Sequence, residues 1–281
     1  LILLSSLFGI LSALTWGAGD FGGGMASRRA GFYRAAFYGE FIGLFFLGIM
    51  LAVVREALPS GPVWAWSAGA GVIGALGLLL LYRCLAEGQM SVAAPVSALM
   101  AAILPVIAST LIEGLPGLTK YIGFALALAA IWLISRGEGH QKQLHLHLAD
   151  LRLPLLAGVF FGFYFIMIHQ GSHAATIWPM IIARSTGSVV LFCFAAANAQ
   201  LHWPGRRVAP LVLLNAAGDI AGNTFYILSG QFGRLDVAAV LGSLYPGTTI
   251  LLAGMLLHER LNRSQWAGIV AALTAIILMT I

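Results

Sequence analysis

Long apolar blocks alternate with short polar breaks along the whole chain, and each block approaches the ~20 residues that an α-helix needs to cross a hydrocarbon core. Reading the blocks against breaks of charge, glycine and proline predicts spans at 4–24, 33–54, 63–86, 91–111 and 119–136, then at 152–170, 176–197, 208–229, 236–257 and 264–281. Within a block the apolar residues run almost continuously, unlike the one-sided stripe of a helix on a soluble core. Composition agrees, since 60% of the residues are hydrophobic and only 9% are charged, against about 25% charged in an average soluble domain. The predicted fold is an all-α integral membrane protein with ten transmembrane helices.

The longest polar connection, Arg136 to Arg152, divides these spans into a first five-helix repeat at 1–136, a linker loop at 137–151 and a second repeat at 152–281. The two halves resemble each other. Val92-Ala93-Ala94 recurs as Val237-Ala238-Ala239, Leu99 as Leu244 and Gly123 as Gly268, all at an offset of 145 residues. Tyr82 with Tyr226, Arg34 with Arg184 and Glu113 with Glu259 follow at offsets of 144, 150 and 146. Five crossings is an odd number, so the second copy enters the membrane the opposite way round. Two inverted five-helix repeats predict a binding site near the bilayer midplane, between the halves.

The net charge of +5 does not point to nucleic acid, because the basic residues stand singly or in pairs at span ends, where they orient a membrane protein. Cys84 and Cys193 fall within predicted spans and read as packing residues. No Gly-Lys phosphate loop occurs, and no cofactor is expected. His140, His145, His147 and Asp150 crowd the linker without a cysteine partner or a His-x-x-x-His spacing, so that segment reads as a solvated loop and no metal site is expected. Leu1 in place of Met, and an end inside the apolar run at Ile281, lead us to expect further residues beyond both termini.

Ionisable residues inside a span carry the chemistry. Asp219 lies about eleven residues into the eighth predicted span, where a carboxylate costs about 2.5–3.5 kcal/mol to insert. Asn223 and Tyr226 follow at i+4 and i+7 and share its face. That face reads either as the wall of a cavity or as an interhelical hydrogen bond from a neutral carboxyl. Asp20 stands one turn after Trp16 in the first span, facing the same cavity or pairing with Arg34. Glu40 in the second span faces the cavity or snorkels to the interface. In the second repeat His169 and Arg184 occupy the positions of Asp20 and Arg34. Trp16, Tyr82, Tyr164 and Tyr226 supply flat surfaces for a cargo or for packing, and only Tyr226 is favoured for the cavity. The candidate substrate- or proton-binding set is Asp219, Asn223, Tyr226, Asp20, Trp16, Glu40, Tyr82 and Arg184, with no catalytic residue. Pro95 and Pro105 interrupt the fourth span and Tyr245-Pro246-Gly247 the ninth, either as matched openings at a binding site or as simple kinks.

The segment from Tyr82 to Gly123, YRCLAEGQMSVAAPVSALMAAILPVIASTLIEGLPGLTKYIG, resembles the end of the first repeat in the EamA-type branch of the drug/metabolite transporter superfamily. DVAAVLGSLYPGTTILLAGMLLHERLNRSQWAG, from Asp236 to Gly268, resembles the end of the second, and Trp16-Gly17 is similar to the family's aromatic-Gly opening. Glu259-Arg260-Leu261 fits the family pattern, whereas Glu113 departs from it, being one residue further from its glycine and lacking a following arginine. The resemblance implies a secondary transporter in a cell membrane, expected to be a bacterial inner membrane. It implies export of a metabolite, amino acid or amphiphilic drug-like compound. In the leading reading Asp219 takes either a proton or the cargo's cationic group and so supports proton antiport; the partners are then a small-molecule substrate, a proton and the lipid bilayer. An uncoupled facilitator of zwitterionic metabolites is the alternative. An integral-membrane enzyme acting on lipids is the third reading, and it lacks converging His, Asp and Glu residues.

Orientation follows from charge. The loops after odd-numbered spans hold Arg28, Arg29, Arg136, Lys142, Arg152, Arg206, Arg207, Arg260 and Arg263, and those after even-numbered spans hold only Arg55, Lys120 and Arg234. The positive-inside rule puts the odd loops in the cytoplasm and both termini outside, although the resembled family usually keeps its termini inside. A periplasm-active reporter fused after Ile281 in the full-length gene is expected to be active, and a cytoplasm-only fluorescent fusion at the same point dark. Cytoplasmic fluorescence alone overturns this orientation.

Overall fold

The computed structural model describes residues 1–86, 90–134, 152–173, 175–257 and 262–280. Its elements are α1 (Ile2–Ala30), α2 (Phe32–Val54), α3 (Gly61–Ala86), α4 (Met90–Ile112) and α5 (Leu118–Ile134), followed by α6 (Arg152–Gly171), α7 (Ile177–Ala197), α8 (Ala209–Phe232), α9 (Leu235–Gly242), α10 (Tyr245–Leu257) and α11 (Arg263–Thr280). The described residues contain helices and connections and no strand. Among the described residues six helices, α1, α2, α3, α6, α7 and α8, are long and apolar enough to cross a membrane; α4, α5 and α11 carry shorter apolar stretches. The linker with its four candidate metal ligands, and the Glu259-Arg260-Leu261 segment, lie outside the described residues.

The predicted ninth span is two helices, α9 and α10, separated at Ser243 and Leu244. Pro246 explains the break, because a proline has no N–H for the carbonyl four residues earlier, and that residue is Gly242, where α9 stops. The fourth span behaves differently from the sequence expectation. Its backbone is one continuous helix from Met90 to Ile112 through both Pro95 and Pro105, so the interruption is not matched in the two halves. Proline removes one hydrogen bond, and flanking turns tolerate that loss where neighbouring helices support them.

Packing between the halves is reciprocal. The first helix of each half lies against the third of the other, α1 on α8 and α6 on α3, while α2 pairs with α7 and α5 with α11. Small residues permit the close crossings. A Cβ on Gly19 would meet the backbone of Asn215, Gly218 and Asp219, and one on Gly71 would strike the backbone carbonyl of Ala183. Hydroxyls then donate across the seams, with no water needed. Ser12 Oγ donates to Gly222 O (2.9 Å), Ser229 Oγ to Ser5 O (2.7 Å) and Thr249 Oγ1 to Gly17 O (3.0 Å). Large apolar side chains such as Phe41, Phe45, Phe163, Val189 and Val270 point outward in the middle of helices, which suits a lipid surround and no aqueous one. Trp64, Trp66, Trp203 and Trp266 are exposed near helix ends, as interfacial anchors are.

Two carboxylates from the first half cap helices of the second. Glu56, in the α2–α3 connection, accepts from Thr176 N (2.7 Å) and Ile177 N (2.6 Å) at the start of α7. Glu113 accepts from Leu235 N (3.3 Å) at the start of α9. Arg234 beside it donates to Ser109 Oγ (3.2 Å), to Gly114 O (2.7 Å) and to its neighbour Asp236 (2.9 Å). These carboxylates occupy the positive ends of the helix dipoles and satisfy amides that the helices cannot.

Glu56→Ala is expected to remove the cap from α7 and to destabilise the purified protein by about 1–2 kcal/mol. Thermal unfolding in detergent reads this directly, and Glu56→Gln, which keeps one acceptor oxygen, is expected to lose less.

Candidate functional site

The glycines and alanines that let the halves approach also leave a space at their junction. This cavity has an empty volume of about 820 Å³, including solvent space continuous with it. Among the described residues α1 to α4, α6 to α8 and α10 reach it. Its ionisable lining is Asp20 from α1, Glu40 from α2, Arg184 from α7 and Asp219 from α8. Trp16, Phe161, Tyr164, Phe165 and Tyr245 form its aromatic wall.

Arg184 organises the charges. Its Nη1 lies 3.2 Å from Glu40 Oε2 and donates to Gly39 O (3.3 Å), while Nη2 pairs with Asp219 Oδ2. The guanidinium side chain is 7% exposed, against 16% for Glu40 and 32% for Asp219. A planar guanidinium suits this task because its donors reach two carboxylates at once. Gly43, one turn after Gly39, makes the room, since a Cβ there would meet the guanidinium itself. Asp20 also lines the cavity, and among the described residues it makes no hydrogen bond or ion pair. No ion pair joins it to Arg34.

On α8 the polar face is a ladder. Asn223 Nδ2 donates to Asp219 O (2.8 Å), and Asn223 Oδ1 accepts from the Tyr164 hydroxyl. One turn the other way, Asn215 donates to Gly19 O (3.1 Å) and to the Tyr82 hydroxyl. Asn215 was not singled out from the sequence, although its place four residues before Asp219 was a signal for it.

Six of the eight candidate residues therefore line one cavity: Trp16, Asp20, Glu40, Arg184, Asp219 and Asn223. Tyr226 and Tyr82 do not. Both are 1% exposed. Tyr226 stacks on Phe165 at 4.7 Å between centroids and donates to Phe165 O (3.1 Å), so it supports the wall from behind. Tyr82 is enclosed where α1, α3 and α8 meet, held by Asn215. Tyr164, for which the sequence favoured packing, is in the wall. His169 is buried beside Gly230 and edge-on to His173, away from the cavity. The pairing of Arg34 with Arg184 in sequence does not carry over to the site, for only Arg184 lines it.

A family model described as EamA-like transporter family matches residues 3–136 and again residues 151–281. No curated protein matches the chain. One solved crystal structure superposes with a TM-score of 0.78 over 98% of this chain and 95% of its own, at 16% identity, a likeness that concerns the fold alone.

Arg184→Leu is expected to leave Glu40 and Asp219 without their counter-charge and to cost on the order of 3 kcal/mol, less than a fully enclosed pair because Asp219 keeps partial exposure. Adding Glu40→Gln and Asp219→Asn to that variant is expected to restore most of the loss in thermal unfolding. Three additive losses instead would contradict the coupling.

Proposed function

The chain belongs to the EamA-like transporter family, multi-pass membrane transporters, and from that premise we propose that it is a secondary exporter of small molecules driven by proton antiport. The observation that carries this reading is the cavity at the junction of the halves, with its guanidinium held between two carboxylates. We take the fold as ten spans, with α9 and α10 forming one broken ninth, arranged as two inverted five-helix repeats in a bacterial inner membrane. The reciprocal packing of first on third helices supports that arrangement.

In this mechanism Asp219 is the coupling carboxylate. When ionised it shares Arg184 with Glu40. A proton on Asp219 cancels that attraction, and the guanidinium then belongs to Glu40 alone. The proton and the pairing of α7 with α8 thus exclude each other, so loading a proton changes how the second half is held. A lipid-modifying enzyme is disfavoured, because the acidic residues gather inside the bundle at the junction of the repeats.

Alternating access needs contacts between halves that can break on one face and form on the other. On a count of ten spans, the Glu56 cap on α7 and the Arg234 contacts with Ser109 and Gly114 fall on one face, the face of the termini. Both cross from one repeat to the other. Their release is the opening step of this reading, and the cavity then faces that side.

The test uses proteoliposomes loaded with a pH-sensitive dye and challenged with a panel of amines, amino acids and nucleosides. Wild-type protein is expected to move protons against at least one member of the panel. Asp219→Asn is expected to insert normally but to lose about tenfold or more of that flux together with its dependence on the pH gradient. Unchanged flux and unchanged pH dependence in the variant overturn the coupling role.

A further inference from the structure

Resting on the transport reading, we infer that the cavity takes organic cations, with the Asp20 carboxylate as counter-ion and the aromatic wall as the surface for the cation's apolar body. Among the described residues three carboxylates line the cavity, from Asp20, Glu40 and Asp219, against one base, Arg184. Arg184 already stands between two carboxylates of the protein, with Nη1 beside Glu40 and the Gly39 carbonyl and Nη2 paired with Asp219. A ligand carboxylate therefore competes with two carboxylates of the protein for that guanidinium. It also meets an excess of like charge, which penalises anions and the acidic end of zwitterions.

The polar groups around the cavity are similarly committed. The Tyr164 hydroxyl donates to Asn223, and the Tyr245 hydroxyl lies 3.4 Å from Ser97 Oγ. Asp20 differs from the other cavity carboxylates, for it lines the cavity with no hydrogen-bond or ion-pair partner among the described residues. A carboxylate without a partner in a low-dielectric space is the group that gains most from an arriving ammonium.

Next to Asp20 stands the right kind of surface. Trp16 is one turn earlier on the same face of α1. Its indole is fixed by stacking on Phe165 (centroids 5.3 Å apart) and by Tyr226 (5.7 Å). Fixed aromatic faces beside a carboxylate attract a cation through the ring quadrupole as well as through charge, and they bury an apolar ring or chain at small entropic cost. The substrate class is an amine carrying an aromatic or apolar body. Asp20 then receives the cargo and Asp219 the proton.

Isothermal titration of the full chain in nanodiscs tests this with matched probes near neutral pH: phenylethylamine against 3-phenylpropionate, tryptamine against indole-3-propionate, and phenylalanine and tryptophan as zwitterions. The amines are expected to bind at least about tenfold more tightly than their partners of other charge. Asp20→Asn is expected to weaken amine binding by about tenfold or more, and Asp20→Glu to restore it. The inference is overturned if no amine binds, if carboxylates or amino acids bind as tightly, or if monodisperse Asp20→Asn binds amines like wild type. Should Asp20→Asn not yield folded protein, the wild-type ranking of the probes decides. Flux measurements separate this claim from the one beneath it. Transport of amino acids without amine binding ends the cation assignment and leaves the transporter. Tight amine binding with no flux of any bound amine ends the transporter and leaves the cation site.

Discussion

The guanidinium of Arg184, held between Glu40 and Asp219 inside the bundle, is the interaction on which the arrangement of the second half around the first depends. It joins α7 to α2 and to α8 at one point. In a medium of low dielectric an unpaired charge is far costlier than in water, so the three side chains hold one another in place. Such a pair need not add net stability over apolar packing. What it does is restrict how the helices meet, because any shift of α7 along α2 would leave a charge exposed to hydrocarbon. Gly39 and Gly43 are part of the same device, the first offering a carbonyl and the second the room for the guanidinium.

Around that point the molecule is organised in the reverse sense to a soluble protein. Phenylalanine, valine and leucine cover much of the outside, while serine, asparagine and arginine lie within. No hydrophobic effect drives helices together in lipid, so close packing of small residues and hydrogen bonds between helices must hold them. The seam between α1 and α8 uses both, with Gly19 against Gly218 and Ser12 donating to the Gly222 carbonyl. The same seam carries Asp20 on one side and Asp219 on the other. Stability and the proposed chemistry thus share one interface, and tight glycine contacts set the distance between the two carboxylates.

That sharing bears on how a transporter of this family can switch. The contacts that bridge the halves at the ends of helices, Glu56 on α7 and Arg234 on the end of α4, are charge-assisted and local. They can break one at a time at modest cost. The contacts in the middle are close-packed backbone and cannot. A motion that rocks the halves about the glycine seams, and exchanges the end contacts, is compatible with both facts.

Read by itself, the chain determined that it is built of apolar helices in two similar halves, and it marked most of the charged residues that line the cavity. Helix positions were legible because a bilayer demands about twenty apolar residues per crossing, and the breaks between blocks are charged or contain glycine and proline. Asp20, Glu40, Arg184 and Asp219 were legible because a charge inside an apolar span has few innocent explanations. Aromatic residues carry no such signal. Tyr226 and Tyr164 look alike in sequence, and only the packing of α6 against α8 turns the first behind Phe165 and the second into the wall. Tertiary structure alone also decided which acid is free. From the sequence Asp219 stood out by depth and Asp20 stood close to Arg34. The fold gives Asp219 to Arg184 and leaves Asp20 open to the cavity, because pairing depends on which helices cross, and helices from opposite halves meet in space without any local trace in the chain.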